Sequence, residues 1–180
     1  MSVYVTYKQW KYHGYRVFIQ GVPGEGINHI LIWADDKVIK HKNNIMVISG
    51  CGTAVINESN IDRLLFLIKM SKYAIGPILD NFVSYDYYNE YHNTVLINSE
   101  MVAICNLRYS LHISVKDLTA ILKRIKKEIN LINTEREKRV VKDIETAVNK
   151  VDKNKVYKLI NDLYNEKVKN AKKVSGGNDE

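Results

Sequence analysis

Proline and cysteine each occur only twice in the 180 residues, and each scarcity excludes something. Two cysteines cannot build a disulfide scaffold, and Cys51 and Cys105 stand apart from any C-x-x-C pair or neighbouring histidine, so neither a zinc site nor a redox motif is encoded. Pro77 is the last proline, and no glycine follows Gly76 until Gly176. Breaks in that stretch must therefore come from capping residues. No run approaches eighteen uninterrupted apolar residues and no basic segment precedes an apolar one at the N-terminus, so the expectation is a cytoplasmic chain that neither enters nor crosses a membrane.

The usual catalytic signatures are also missing. His13, His29, His41, His92 and His112 show no H-x-H, H-x-x-x-H or H-E-x-x-H spacing, so no metal and no cofactor is expected. The glycine-rich GVPGEGINH lacks the Lys and Ser/Thr of a phosphate-cradling loop and reads as a connector. No nucleophile elbow is present. The faintest enzymatic lead is His92-Asn-Thr94 and His112-Ile-Ser114. Strand alternation places each histidine and its hydroxyl on one face, as in a metal-independent phosphodiesterase or nuclease. Asp35-Asp36 and the Glu58/Asp62 pair are explained as well by surface turns and helix starts as by acid chemistry.

What is present is an ordinary folding composition, 46% hydrophobic and 26% charged. Its clearest element is SVKDLTAILKRIKKEINLI, Ser114 to Ile132. Val115, Leu118, Ile121, Leu122, Ile125, Ile129 and Ile132 recur at helical spacing and predict a buried stripe, with Ser114 and Asp117 as its capped start. Ser59 and Asp62 open a second such helix, which stops near Gly76-Pro77. Before it, residues 3 to 20 form a leading hairpin about His13-Gly14, pairing Tyr12 with Tyr15, Trp10 with Val17 and Lys8 with Ile19. HILIW, NIMVIS and TAVI read as further strands.

Residues 30 to 49 set over residues 95 to 114 share five identities, which suggests strands then a helix, twice over. The fold class is therefore α+β: an antiparallel β-sheet made of a leading hairpin and two strand-strand-helix units, with a C-terminal helical extension. Residues 1–132 form the core domain. Residues 133–172 form the extension, opened by a Thr134–Glu137 capping box, and 173–180 a disordered tail. The stripe of Val140, Val141, Ile144, Ala147, Val148 and Val151 repeats sixteen residues later in Val156, Tyr157, Ile160, Leu163 and Tyr164. That match fits an αα-hairpin or dimerisation helices.

Charge divides unevenly. Met1 to Ser114 holds 10 Lys and Arg against 9 Asp and Glu, whereas Val115 to Val174 holds 17 against 9. Such asymmetry points to a polyanion, and the expectation is a non-catalytic nucleic-acid-binding protein of low sequence specificity, binding DNA or RNA. Lys116, Lys123, Arg124, Lys126 and Lys127, with Arg136, Lys138 and Arg139, supply backbone electrostatics. Tyr7, Lys11, Arg16 and Phe18, on one face of the leading hairpin, add stacking. The alternative is an oligomeric interaction or regulatory module, a homo-oligomer joined through its last helices. In it Phe82, Tyr85, Tyr87, Tyr88 and Tyr91 sit in an acidic aromatic loop and meet a protein partner.

Overall fold

In the computed structural model, residues 4–34, 37–41, 44–48 and 52–175 are described, with backbone alone for 37–41, 44–48 and 170–175. Asp35, Asp36, Cys51 and the end of the tail lie outside them, as does the side chain of His41.

His13 and Gly14 both take positive φ, 45° and 78°, which is the turn geometry that matches the twist of two antiparallel strands. The hairpin of β1 (Val5–Tyr12) and β2 (Tyr15–Val22) follows in the expected register, Tyr12 opposite Tyr15 and Trp10 opposite Val17. β3 (Gly26–Ala34) and β6 (Gly52–Ile56) complete a sheet of order β1-β2-β3-β6. Between them β4 (Lys37–His41) and β5 (Asn44–Ile48) form a separate hairpin. Helix α1 (Glu58–Ser71) closes this half. The second half repeats the plan: β7 (Ile78–Tyr85), β8 (Glu90–Ile97), β9 (Met101–Cys105) and β10 (Ser110–Ser114) form a four-stranded antiparallel sheet, and α2 (Val115–Lys150) follows.

The chain is thus α+β, with two four-stranded antiparallel sheets rather than one. Each half is a meander followed by a helix, so β3 corresponds to β9 and β6 to β10. The sequence overlay of residues 30–49 on 95–114 is out of step with this, because it sets β3 over β8. The stretch expected to be an acidic aromatic loop is instead the end of β7, a tight turn and the start of β8, with eight paired positions from Ile78–Ile97 to Tyr85–Glu90. Asp86 makes that turn, its carboxylate accepting from the backbone N–H groups of Tyr88 and Asn89 at 2.8 and 2.7 Å.

The chain divides into two compact units, Met1–Thr134 and Glu135–Glu180. In the first, one hydrophobic core joins both sheets and both helices. It is built from Val17, Ile19, Ile30, Ile32 and Ile56 of one sheet and Val95, Ile97, Ile104, Leu111 and Ile113 of the other. Ile61, Leu64 and Ile68 of α1 and Leu118, Ile121, Leu122, Ile125 and Ile129 of α2 belong to the same core. All five of these α2 side chains are at most 1% exposed, each worth about 1.5–3 kcal/mol over leaving it in water. Ser114 caps α2 as its spacing requires, accepting from Asp117 N–H at 3.0 Å.

Three helix ends differ from the sequence pattern. Thr134 does not open a new helix. Its hydroxyl donates to the Asn130 carbonyl at 2.8 Å, the in-helix alternative to capping, and α2 runs on to Lys150. Helix α3 (Lys153–Ser175) then carries residues 173–175, which were expected in the tail. For α1 the cap is Asn57 rather than Ser59. Asn57 N–H donates to Asn60 Oδ1 at 2.8 Å. The Asn57 amide also donates to Asn28 O and Tyr85 O, both at 2.8 Å, and its Oδ1 accepts from Tyr85 N–H at 2.7 Å. One side chain thereby fastens β3 to β7.

Replacing Asn57 by alanine leaves the Tyr85 amide and two carbonyls to find new partners, so Asn57→Ala is expected to cost about 1–3 kcal/mol. Urea unfolding measures this; an unchanged midpoint contradicts the role given to Asn57.

Candidate nucleic-acid interface

A sheet with one face in the core must turn its alternate residues outward. In the first sheet Val17, Ile19, Ile30 and Ile32 point in, so Arg16, Phe18, Leu31, Trp33, Thr53 and Val55 belong to the opposite face. Register aligns them in two cross-strand rows: Lys11, Arg16, Trp33 and Thr53, then Gln9, Phe18, Leu31 and Val55. The Arg16 guanidinium lies 5.7 Å from the centroid of Trp33, which is 39% exposed, and so forms a cation–π pair at the surface.

This face is walled by the second sheet. Asp86, Tyr91 and Tyr109 meet Phe18, His29, Leu31, Trp33, Thr53 and Val55 around a cleft of about 350 Å³. The Tyr91 and Tyr109 rings are 6.0 Å apart and tilted by 43°. Tyr91 donates to Asp86 Oδ2 at 2.6 Å. Burial and that carboxylate push the Tyr91 hydroxyl up to about 12. Burial pushes the Asp86 carboxyl up, but the bonds from Tyr91, Tyr88 and Asn89 outweigh it and hold Asp86 below the usual carboxylate range. The acid therefore stays ionised, its charge engaged by its own turn. At the floor, His29 is buried, with Nε2 3.0 Å from Gln20 Oε1 and Nδ1 3.1 Å from Asn28 Oδ1. Burial pushes its pKa down, partly opposed by the Asp86 charge.

Of the hairpin residues expected to bind, Lys11, Arg16 and Phe18 are brought together here. Tyr7 is not, because the ladder shifts between Thr6 and Lys8. Its hydroxyl instead donates to Val22 O at 3.1 Å. The sequence singles out neither Trp33 nor Tyr109 as a binding group, and Tyr91 only as a residue meeting a protein partner. Their signal existed only for Trp33, whose parity on HILIW opposes that of the two buried isoleucines.

The cationic residues of α2 lie elsewhere, on the helix that packs against the inner face. Arg124 covers the Trp10 ring at 4.6 Å and pairs with Glu128 at 3.7 Å, Glu128 also holds Lys8 at 3.4 Å, and Lys126 meets Asp62 at 2.7 Å. These cations have structural partners. Lys123 and Lys127 are exposed and, with Lys126, Asn130, Leu131 and Thr134, line a shallow groove along α2. Lys116 is exposed one stretch earlier on the same side, since positions 116, 123 and 127 fall within about 40° of each other at 100° per residue. Arg136, Lys138 and Arg139 are exposed in the second unit; Arg136 and Arg139, three residues apart, fall within about 60° of each other, and Lys138 points about 100° away from Arg139.

The histidine pair does not form a site. His92 and His112 share the outer face of the second sheet, but His112 is opposite Ala103, itself opposite Leu96, two strands and four residues from His92. Strand spacing and rise place them about 16 Å apart. His92 contacts Glu90 at 3.0 Å, and His112 Nε2 lies 2.9 Å from Ser110 Oγ, which contacts Cys105 Sγ at 3.1 Å. Of the aromatic residues expected to meet a protein partner, Phe82 and Tyr91 are buried, whereas Tyr85, Tyr87 and Tyr88 are exposed at 50%, 42% and 74%. Tyr87 and Tyr88 pack edge-on with ring centroids 4.9 Å apart, and Tyr4 stands edge-on to Tyr87. Among the described residues no group of three His, Cys, Asp or Glu is placed to hold a metal ion, and no helix is long and apolar enough to cross a membrane. Comparison with protein-family models, with curated proteins and with solved structures finds no match for this chain.

The depressed pKa of His29 has a defined consequence. Between its folded value and the ordinary value of about 6.5 the unfolded chain binds the extra proton, so this contribution is complete above about pH 6.5 and declines as pH falls below it. Melting temperature is expected to drop on going from about pH 7 to about pH 5, and His29→Gln to flatten that drop. An equally steep decline in the variant contradicts the assignment.

Proposed function

We propose that this protein binds single-stranded nucleic acid with little sequence specificity, using the outer face of the first sheet. The observation that carries this reading is the row Lys11, Arg16, Trp33, with Phe18 beside it: two cations and two rings on one face, next to an apolar cleft. Every base offers a flat π-face, so stacking on Trp33 and Phe18 is tolerant of sequence, while Lys11 and Arg16 neutralise the backbone between stacked bases. A duplex hides its base faces in its own stack. The cleft, with depth but few free polar groups, suits an unstacked base better than a paired one. Lys116, Lys123 and Lys127 add a positive field on another side of the domain, which raises the encounter rate without stacking.

Titration of labelled single-stranded and duplex oligonucleotides at several salt concentrations tests this. The single strand is expected to bind more tightly, with affinity falling as salt rises. Trp33→Ala should weaken it by about 1–3 kcal/mol, roughly 5- to 150-fold. Arg16→Ala should reduce the salt slope by about 0.7. No binding at low salt, or full affinity in Trp33→Ala, contradicts the proposal.

A further inference from the structure

Every residue from 135 to 167 is exposed, the apolar stripes included. Ile144, Ile160 and Leu163 are 58%, 55% and 55% exposed, whereas Ile121 and Ile125, earlier on α2, are wholly buried. Helix α3 thus leaves the second half of α2 uncovered. Isolated helical stretches of about this length are marginal in water and gain most of their stability by burying an apolar face.

We infer that a second copy of this chain covers these stripes, the α2 segment after Thr134 and α3 of one copy packing on α3 and α2 of the other. Three features favour a like copy over other occupants. First, the α2 stripe V-V-x-x-I-x-x-A-V, Val140 to Val148, and the α3 stripe V-Y-x-x-I-x-x-L-Y, Val156 to Tyr164, have one spacing. Each helix therefore offers the other a matching set of ridges. A two-fold pairing requires such self-complementarity, since both subunits present the same patch. Second, eleven large apolar side chains of this region, from Val140 to Tyr164, are 41–68% exposed, a continuous supply of apolar surface of the kind that a standard stable interface of about 800 Å² per partner covers. Third, Glu135 to Lys169 holds 10 Lys and Arg and 7 Asp and Glu, a nearly balanced mixture that repels neither itself nor a like surface and gives a polyanion little to grip.

Sedimentation equilibrium of the full chain over a roughly hundredfold range of concentration is the test, with the mass compared to the 20.8 kDa of one chain. The expected result is twice that mass for the unmodified protein and the single-chain mass for Ile144→Glu with Ile160→Glu. Leu163→Glu, in α3 alone, should also lower the mass towards one chain. The near-ultraviolet circular dichroism of Trp10 and Trp33 should be unchanged in all three, because both tryptophans lie in the first unit. A single-chain mass for the unmodified protein at every concentration overturns the inference. So does a dimer that survives both sets of substitutions, or an assembly larger than two.

Discussion

The fold of the first unit depends on one constraint: a single core must be filled from both sheets and both helices at once. Neither four-stranded meander has a face it can hide alone, and α2 supplies the largest insert, five aliphatic side chains from Leu118 to Ile129 that are almost inaccessible to water. Burying one parity of β2, β3 and β6 under that insert fixes the other parity. Arg16, Phe18 and Trp33 face outward because Val17, Ile19 and Ile32 face in, and no separate interaction is needed to present them.

The same constraint separates two features that look alike in the sequence. Both the leading hairpin and the start of α2 carry cations beside aromatic or aliphatic residues. On α2, however, Arg124 and Lys126 are drawn, with Lys8 of the hairpin, into half-exposed contacts with Glu128, Asp62 and the Trp10 ring. The outer face of the sheet carries Phe18, Leu31, Trp33 and Val55, which lie outside the core. Its cleft arises where Asp86, Tyr91 and Tyr109 of the second sheet border that face, and Asn57 helps hold this junction by bonding to Asn28 on one side and Tyr85 on the other.

Local chemistry was legible wherever a residue acts on its near neighbours. His13-Gly14 fixed the hairpin register, Ser114 marked the start of α2, and the three- and four-residue spacing from Val115 to Ile129 named the buried stripe. Legibility failed where distant partners decide. Asn57 caps α1 in place of Ser59 because its amide also satisfies groups of Asn28 and Tyr85, 29 and 28 residues away. Thr134 had the spacing of a helix start, but its hydroxyl turned back to Asn130, since neither glycine nor proline interrupts α2. The bulge that removes Tyr7 from the face of Lys11 and Arg16, and the convergence of Tyr91 and Tyr109 on Trp33, are tertiary facts without a local sign. Duplication of the plan was visible, but its alignment was not, because the β4–β5 hairpin displaces the matching strands.

The central claim is that the face opposite the core is the working surface, and the two tryptophans separate its two sides: Trp33 lies on the outer face, Trp10 on the inner face beneath Arg124. The most direct measurement is an isotope-labelled nuclear magnetic resonance titration with a short single-stranded oligonucleotide, following both indole N–H signals. The account predicts that the Trp33 indole and the amides of Arg16, Phe18 and Thr53 shift together while the Trp10 indole stays still. Movement of Trp10 and the Lys123 to Lys127 amides, with Trp33 silent, would contradict it.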